Sequence, residues 1–396
     1  MARVLILGTN TLARELVREI LARPHCGHAV IGMVSENYSI QTPSMGWPVL
    51  GAFTDLHRLI RVYEPDEIIV ALPEHHGCYP LDHLVDAQVR WGIKVESAVE
   101  FYERLTGKLA LEALTAGSVL FTHEFRPRRP NLWLARFVSL VCALTGLVVF
   151  LPLMALIALV IKLDSPGPAL FVQERCGLNC KSFRLLKFRS MRTDMPAVSE
   201  WECDNGARIT RTGHWLRKFR LDELPQFINV LRGEMNIVGP RPHPTTNRDL
   251  IVLVARNMPQ RGEPIPYYSL RLGVRPGITG WAQVRYKYAN ELNEEIEKLR
   301  YDLYYVKHYS LWLDLRILLG TIRVMLFGHR VAGEAHARRT AASSKASRPA
   351  TLAAARSSGK QSAGASRWTR VDGPGRGYPA RDLNDSETAD QSARRI

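Results

Sequence analysis

The sequence is poor in the residues that cross-link secreted proteins. It has only six cysteines, at positions 26, 78, 142, 176, 180 and 203, and their spacing forms no disulfide framework. Cys142 even lies inside an apolar stretch. We therefore expect a reducing compartment and no structural disulfides. Cys176 and Cys180, with Cys203 and His214 downstream, also fit no common structural zinc pattern.

Other signals are also missing. The N-terminus enters a strand-like pattern directly, without the charged region, apolar core and cleavage site of a signal peptide, so we expect the N-terminal domain to stay in the cytoplasm. The 38 acidic residues are outnumbered by 53 Lys and Arg, which gives a formal net charge of +15. This surplus favours an anionic partner, such as acidic lipid or a phosphorylated small molecule. Nucleic acid ranks last, because no helix-turn-helix, zinc-finger or RNA-binding pattern is present.

Residues 1–115 predict an α/β domain of Rossmann-like type. Short β-branched runs at 4–7, 29–34 and 68–71 alternate with helical patterns, which is typical of a parallel sheet. The turn that starts at Gly8 keeps one glycine of a dinucleotide fingerprint and lacks the second, so it supports NAD binding only weakly. A regulatory or oligomerising role, including a homodimer, is favoured over a bound nucleotide or nucleotide sugar.

A predicted linker at 116–132 leads into an uncharged, apolar run at 137–161 that is long enough to span a bilayer. Pro152 removes a helix hydrogen bond past its midpoint and predicts a bend. Basic residues flank both ends, and such residues favour the cytoplasmic side. The sequence therefore predicts a re-entrant membrane helix at 133–162. A straight transmembrane helix, with the downstream domain outside, is the competing interpretation.

Residues 163–330 predict one mainly helical α/β domain on the membrane surface. Its closing segment, 311–327, is amphipathic at helical spacing and carries Trp312, which suits the headgroup region of a membrane. An ordinary core helix is the alternative for that segment. Residues 331–396 are rich in Ala, Ser, Arg and Gly and predict a disordered basic tail.

Asp222 and Glu223 are the candidates for chemistry, since they lie among arginines and shortly before the turn Gly239-Pro-Arg-Pro242. A carboxylate can attack phosphorus and a second one can steer a metal or a proton, while guanidinium groups neutralise phosphate oxygens. A solvated helix start is the alternative for the pair alone. In-line attack at a diphosphate also calls for Mg²⁺, with Asp222 and Glu223 as candidate ligands, although the spacing defines no ligand cage.

Two further features accompany this pair. Arg217 lies five residues before Asp222, so it can approach the carboxylate only through a bent helix or a tertiary contact. The turn that starts at Arg275 is rich in glycine, and it fits a scaffold and a ligand contact equally well. Asp302 and Asp314 fit either a helix surface or a site.

Six motifs together closely resemble those of the bacterial sugar transferases, also called monotopic phosphoglycosyl transferases or polyprenyl-phosphate sugar-1-phosphate transferases. The resemblance covers about half of the chain, from near Arg129 to Gly328, and the motifs keep the order of that family. The motifs are Lys162-Leu-Asp-Ser-Pro-Gly-Pro, Lys187-Phe-Arg-Ser-Met, Leu221-Asp-Glu-Leu-Pro-Gln, Val238-Gly-Pro-Arg-Pro, Arg275-Pro-Gly-Ile-Thr-Gly-Trp-Ala-Gln-Val and Trp312-Leu-Asp-Leu.

The resemblance implies a membrane enzyme at the cytoplasmic face of the bacterial inner membrane. Such an enzyme moves a sugar phosphate from a UDP-sugar to undecaprenyl phosphate and releases UMP, which initiates exopolysaccharide or other surface glycan synthesis. Asp222 would be the nucleophile that carries a covalent phosphosugar, and Glu223 would assist the metal or the acceptor. The remaining implied roles are phosphate contacts for Lys187, Arg217 and Arg241, a place in the site region for Asp314, and the membrane-helix break at Pro152.

The chain departs from the family pattern at two places. Arg285-Tyr-Lys-Tyr288 stands where Asn-Gly-Arg is common, and the sequence starts at the Rossmann-like domain where large members often have a transmembrane bundle. Segments ending at Val306 and Gly328 resemble the exopolysaccharide subgroup associated with exosortase systems. Two competing functions are a catalytically silent, membrane-bound scaffold or sensor of nucleotide sugars, and a membrane-associated oxidoreductase.

Overall fold

The structure is a computed structural model, and it describes residues 1–36, 47–72, 80–114, 129–193, 208–245, 268–286 and 292–327, with positions 117, 119, 125 and 206 between them. These residues lie in one compact unit. The predicted tail, most of the predicted linker and residues 287–288 lie outside the described residues. We call residues 1–114 the N-terminal domain and residues 129–327 the C-terminal domain.

The N-terminal domain is built on a parallel sheet with helices on both faces. The described strands have the order β3-β2-β1-β4-β5, and every neighbouring pair is parallel. The central strand β1 is buried on both faces, which explains its unbroken apolar run. The elements are β1 (Ala2–Leu7), α1 (Thr11–Leu21), β2 (His28–Ser35), β3 (Val49–Ala52), α2 (Leu56–Tyr63), β4 (Glu67–Val70), α3 (Leu81–Trp91), β5 (Lys94–Ser97) and α4 (Ala98–Thr106).

One long helix, α5 (Arg129–Asp164), begins the C-terminal domain. It is the one helix in the described part of the chain that is long and apolar enough to cross a membrane, and only 11% of its most apolar window is buried. Pro152 lies inside this helix, which is continuous from Arg129 to Asp164, and the bend expected at Pro152 stays a prediction. Its 36 residues would measure about 54 Å if straight. The predicted apolar segment is therefore present as a single, largely exposed helix.

The rest of the C-terminal domain is mixed α/β. An antiparallel hairpin and a short parallel strand pair are surrounded by helices, so a mixed α/β architecture is found in both domains. The elements are β6 (Leu170–Cys176), β7 (Ser182–Phe188), α6 (Arg211–Lys218), α7 (Gln226–Leu231), β8 (Asn236–Val238), β9 (Gly277–Thr279), α8 (Trp281–Arg285), α9 (Leu292–Lys307) and α10 (Leu311–Phe327).

The contact between β8 and β9 leaves no room for a side chain at Gly277 or Gly280. A Cβ atom at Gly277 would lie 2.1 Å from the backbone nitrogen of Gly239, and one at Gly280 would lie 2.3 Å from the Gly239 oxygen. Gly239 N donates to Thr279 O at 2.9 Å, and Gly277 N donates to Pro240 O at 3.0 Å. The two glycine-bearing motifs are therefore one backbone-to-backbone joint that the sequence encodes in two distant places.

We expect Gly277→Ala to lower the melting temperature of the detergent-solubilised protein by about 5 °C or more, because the new methyl group overlaps a backbone atom that cannot move aside. The matched control is Gly273→Ala, where a Cβ would meet nothing within 4 Å. Intrinsic fluorescence during a thermal ramp measures both variants. Equal melting temperatures for the two variants would contradict the close contact between β8 and β9.

Candidate active site

A sharp turn between two short helices brings Asp222 to Arg217. Helix α6 ends at Lys218, and Arg220 then takes a left-handed conformation with φ of 54°. A single 3-10 turn, Leu221–Glu223, leads into α7. The positive charge of Arg217 acts on the Asp222 carboxylate across this bend. The interrupted helix is what the five-residue separation required, and a left-handed non-glycine residue commonly marks a functional turn.

Helix α6 is held against the residues that follow β7. Thr210 caps the helix by accepting a hydrogen bond from Gly213 N at 2.9 Å. Gly213 packs so closely on Ser190 that a Cβ would lie 2.1 Å from the Ser190 oxygen. Arg217 Nε then donates to Ser190 Oγ at 2.9 Å. The motif that contains Ser190 therefore sets the position of Arg217.

Asn229 places Lys187 beside the carboxylates, and sequence reasoning did not single it out. Its side chain is fully buried, accepts from Leu186 N at 3.0 Å and donates to Arg184 O at 2.7 Å. These two bonds attach the edge of β7 to α7, which starts just after Glu223. A buried amide that saturates a strand edge is costly to replace.

Glu223 is the anchor of a buried ion cluster. Its Oε1 accepts from Arg241 Nη1 at 3.1 Å and lies 3.6 Å from Lys187 Nζ. Burial opposes ionisation of this carboxyl, but the charges of Arg241, Lys187 and Arg220 outweigh it and lower the pKa of Glu223 to about 2. Glu223 is therefore ionised at neutral pH and holds two cations in place.

Asp222 has a different environment although it is the next residue. Within the described ranges, no side chain forms a hydrogen bond or an ion pair with its carboxylate. Burial, together with the negative charge of Glu223, raises the pKa of Asp222 above its usual value, while Lys187, Arg241 and Arg217 oppose that rise. The site thus pairs one committed carboxylate with one that remains available for chemistry.

Lys187 is unusually acidic for a lysine. Burial and the nearby Arg241 lower its pKa to about 8, against the opposing charges of Glu223 and Asp222. Together with Arg175, Gln226 and Arg241, it lines a small pocket, and two of these residues, Lys187 and Arg241, also contact Glu223. A cationic, partly desolvated pocket of this kind suits phosphate oxygens.

The carboxylate pair is better suited to a magnesium ion that shares its ligands with the substrate than to a metal held by protein side chains alone. The described residues contain no group of three or more His, Cys, Asp or Glu side chains that could hold a metal. Mg²⁺ needs only one or two protein carboxylates when substrate phosphates complete its shell. Asp222, which has no cationic partner bonded to it in the described structure, is the better of the two donors, because Glu223 Oε1 already receives Arg241. The metal assignment stays a prediction.

Arg271 and Asp302 support Arg241 from behind, and the sequence did not identify Arg271. Arg271 Nη2 donates to the backbone oxygen of Arg241 at 2.8 Å and pairs with Asp302 Oδ2 at the same distance. Arg271 also contacts Tyr268 Oη and the ring of His243. Both members of the ion pair are buried, so Asp302 is no surface charge on α9. A buried pair with this many hydrogen bonds fixes a backbone position.

Arg189 is another buried arginine that the sequence did not resolve. Only 3% of it is exposed. Its guanidinium donates to Pro166 O at 2.7 Å, to Ser165 O at 2.6 Å and to Ser165 Oγ at 2.8 Å. Gly167 makes room for it, since a Cβ there would lie 2.2 Å from Arg189 Nη1. Arg189 therefore binds the carbonyls where α5 ends.

Arg275 and Asp314 lie apart from the carboxylate cluster. Arg275 Nε donates to Gly233 O at 3.2 Å, and Gly233 lies close to the Arg136 guanidinium. Asp314 accepts from Tyr305 Oη at 2.8 Å, and burial raises the pKa of Asp314 to about 6. Among the described residues, neither side chain forms a hydrogen bond or an ion pair with Asp222. Their substrate-binding roles stay predictions.

The comparisons with known proteins agree with the motifs. The sequence profile described as bacterial sugar transferase matches residues 130–328. A UDP-N-acetylgalactosamine-undecaprenyl-phosphate N-acetylgalactosaminephosphotransferase of Aeromonas hydrophila is 39% identical over 240 residues, which are 60% of this chain and 53% of that protein. A UDP-glucose:undecaprenyl-phosphate glucose-1-phosphate transferase of Xanthomonas campestris pv. campestris is 31% identical over 338 residues, 83% of this chain and 67% of that protein.

A third relative is the exopolysaccharide production protein PSS of Rhizobium leguminosarum bv. phaseoli. It is 42% identical over 196 residues, which are 48% of this chain and 94% of that protein. The chain spans about half the length of the Aeromonas protein and about two thirds of the Xanthomonas protein. The likeness to the Rhizobium protein takes in nearly all of that relative, whereas the other two extend beyond the matched region.

We expect Glu223→Gln to cost about 3 kcal/mol of unfolding free energy at pH 7, since the pKa of Glu223 falls from 4.5 to about 2 in the folded protein. A lowered carboxyl pKa stabilises the fold above pH 4.5, and this contribution fades as the pH falls towards 2. The gap between wild type and variant should therefore narrow from pH 7 to pH 3 in denaturant titrations. The control is Glu174→Gln, an exposed position on β6, and a gap that stays constant with pH would contradict the ion cluster.

Proposed function

Because the chain belongs to the bacterial sugar transferase family, we propose that it moves a sugar 1-phosphate from a UDP-sugar to undecaprenyl phosphate and releases UMP. The Aeromonas and Xanthomonas relatives carry this type of activity in their names, with different sugars. The proposal therefore extends to the UDP-sugar class and leaves the sugar open. The Rhizobium relative is named an exopolysaccharide production protein, which supports a role in exopolysaccharide synthesis.

The observation that carries the proposal is the unequal environment of the two adjacent carboxylates. Glu223 is occupied by Arg241 and Lys187, while Asp222 faces the same cations without being bonded to them in the described structure. A nucleophile must be close to the charges that bind the phosphate and still keep its lone pairs available. Asp222 meets both conditions.

In the first proposed step, an Asp222 carboxylate oxygen attacks the phosphorus that bears the sugar. The bond from that phosphorus to the bridging oxygen breaks, UMP leaves with the electron pair, and the sugar phosphate becomes an acyl phosphate on Asp222. Lys187 and Arg241 neutralise the phosphate oxygens, and Arg217 adds charge from the other side of the turn. Mg²⁺ held by Asp222 and Glu223 would supply further positive charge for the diphosphate when bound.

In the second proposed step, a phosphate oxygen of undecaprenyl phosphate attacks the same phosphorus. The acyl phosphate bond breaks, Asp222 returns to its free carboxylate, and the product is a lipid-linked sugar diphosphate. The two substrates thus react in turn at one carboxylate, which is a ping-pong mechanism. One small cationic site is enough for this scheme, because both reactions occur at the same phosphorus.

The helix α5 supports a re-entrant arrangement that puts the site at the cytoplasmic face of the inner membrane. Its first half packs on the domain through Gly146, where a Cβ would lie 2.9 Å from the ring of Phe227. Its second half packs through Ile157 and Ile161 on Phe188. Pro152 lies between the two contacts, where a proline can bend the helix and so return the chain to the same side. The strand order of the N-terminal sheet likewise supports a Rossmann-like domain.

Purified wild-type protein should release UMP from at least one UDP-sugar in a panel supplied with Mg²⁺ and undecaprenyl phosphate. Asp222→Asn should reduce that release by at least about a thousandfold, because an amide oxygen is a poor nucleophile. Without acceptor, intact-mass spectrometry should show the mass of one sugar phosphate on the wild type and none on the variant. Asp86→Asn, on the partly exposed face of α3, is the matched control.

Two results would count against this proposal. UMP release that survives in Asp222→Asn would remove the covalent mechanism. Folded wild type that releases no UMP with any donor, yet binds a UDP-sugar, would favour the silent sensor or scaffold.

The pH dependence of UMP release should show an alkaline limb in kcat/KM with an apparent pKa of about 8, because Lys187 loses its charge there. A lysine with a lowered pKa is protonated, and so useful to an anionic donor, only below that value. Lys187→Arg should shift the limb beyond pH 10, whatever its effect on the absolute rate. Lys181→Arg, on the exposed hairpin turn, should leave the limb in place. A limb that persists in Lys187→Arg would assign it to another group.

A further inference from the structure

The two domains share a polar interface that reaches into two backbone segments of the C-terminal domain. Trp281 Nε1 donates to Gly107 O at 2.8 Å. Gly107 fits closely, since a Cβ there would lie 3.1 Å from the Trp281 ring. Leu109 N donates to Arg300 O at 3.0 Å. The N-terminal domain is thus bonded to the start of α8 and to the middle of α9.

Three charged contacts reinforce the interface along α9. Lys108 donates to Glu297 at 2.7 Å, and Arg300 donates through both terminal nitrogens to Glu112, at 2.8 Å for Nη1. In the third contact, Glu103 on α4 is only 2% exposed and accepts a hydrogen bond from Lys307 Nζ at 3.1 Å. Its other carboxylate oxygen lies 2.9 Å from His308 Nε2, just after the end of α9. Glu103, Lys108 and Arg300 are buried, and buried charges are stable only when their partners stay in place.

Helix α9 passes the fixed geometry on to the active site. Asp302, two residues after Arg300, binds Arg271 at 2.8 Å, and Arg271 in turn holds the backbone oxygen of Arg241 at 2.8 Å. Arg241 binds Glu223 at 3.1 Å. Three consecutive charge-assisted contacts therefore separate α9 from the catalytic carboxylates.

The second connection runs through β9. Trp281 follows directly on the joint between β8 and β9, in which Gly239 N bonds to Thr279 O and Gly277 N bonds to Pro240 O. The glycines let the two backbones approach so closely that no side chain would fit between them. Both connections thus end at the same turn, residues 239–242, from which Arg241 projects.

We infer that the N-terminal domain is a positioning element of the active site. By fixing α8 and α9, it sets the turn at residues 239–242 and so aims Arg241 at Glu223 and at the donor phosphate. Arg300, Asp302 and Arg271 are positioning residues of the first connection, and Trp281 is the positioning residue of the second, since each acts on Arg241 only through other groups. The kinetic side of the inference rests on the proposed function, and the structural side does not.

The test compares Glu112→Gln and Trp281→Phe with Glu96→Gln in the full-length protein. Glu96 forms the same type of ion pair, with Arg104 and Lys94, but entirely inside the N-terminal domain. Hydrogen exchange measured by mass spectrometry should rise at least about tenfold for peptides that contain Gly239 and Gly277 in both interface variants. In Glu96→Gln, hydrogen exchange in the same peptides should stay at the wild-type rate. Glu112→Gln keeps the test valid if Trp281→Phe fails to fold.

In the UMP-release assay, both interface variants should lose about tenfold in kcat/KM, with KM for the donor raised at least threefold, because a displaced Arg241 binds the phosphate less well. A smaller folded fraction would lower kcat alone and leave KM unchanged. Exchange at Gly239 and Gly277 no faster than in Glu96→Gln would overturn the inference. A wild type without UMP release would refute the proposed function and leave the exchange comparison decisive for the positioning role.

Discussion

The buried charge of Glu223 is the constraint on which the site depends. A carboxylate this deep is stable only because Arg241 and Lys187 come close to it, and both cations pay a desolvation cost of their own. That cost is visible in the pKa of Lys187, which falls to about 8, and it is offset by the matching fall of the Glu223 pKa to about 2. The three groups are stable as a set, so every element that carries one of them must be placed accurately.

The surrounding structure consists largely of devices for that placement. Lys187 depends on the amide of Asn229, which attaches β7 to α7. The position of Arg241 depends on the close glycine contacts between β8 and β9 and on the ion pair of Arg271 with Asp302. Each device replaces hydration with fixed hydrogen bonds, which is what pre-organises a site for developing phosphate charge. The asymmetry between Glu223 and Asp222 then arises without any special feature of Asp222, because the cations are already held by its neighbour.

Much of this could be predicted from the sequence, and the failures have a common cause. Local sequence patterns predicted β1, β2 and β4 with helices between them, and hydropathy predicted the apolar part of α5, because those signals are local. The edge strand β5 was not predicted, since Lys94-Val-Glu-Ser is half charged and its pairing with β4 is tertiary. The roles of Arg189 and Arg271 were overlooked for the same reason. A buried arginine whose partners are backbone oxygens has no sequence signature, whereas a dyad such as Asp222-Glu223 is visible in its motif.

The same distinction explains why the role of the N-terminal domain could not be deduced from its own sequence. Its degraded glycine turn at Gly8 argued only against a dinucleotide, and the sequence offered no other site. The contacts that give it a role are made by Gly107 and Glu112, at its end, with Trp281 and Arg300 far along the chain. Two of these four partners are charged groups and one is a backbone oxygen, so neither hydropathy nor spacing marks them. If this interface positions Arg241, the domain influences catalysis through rigidity alone, and it needs no ligand to do so.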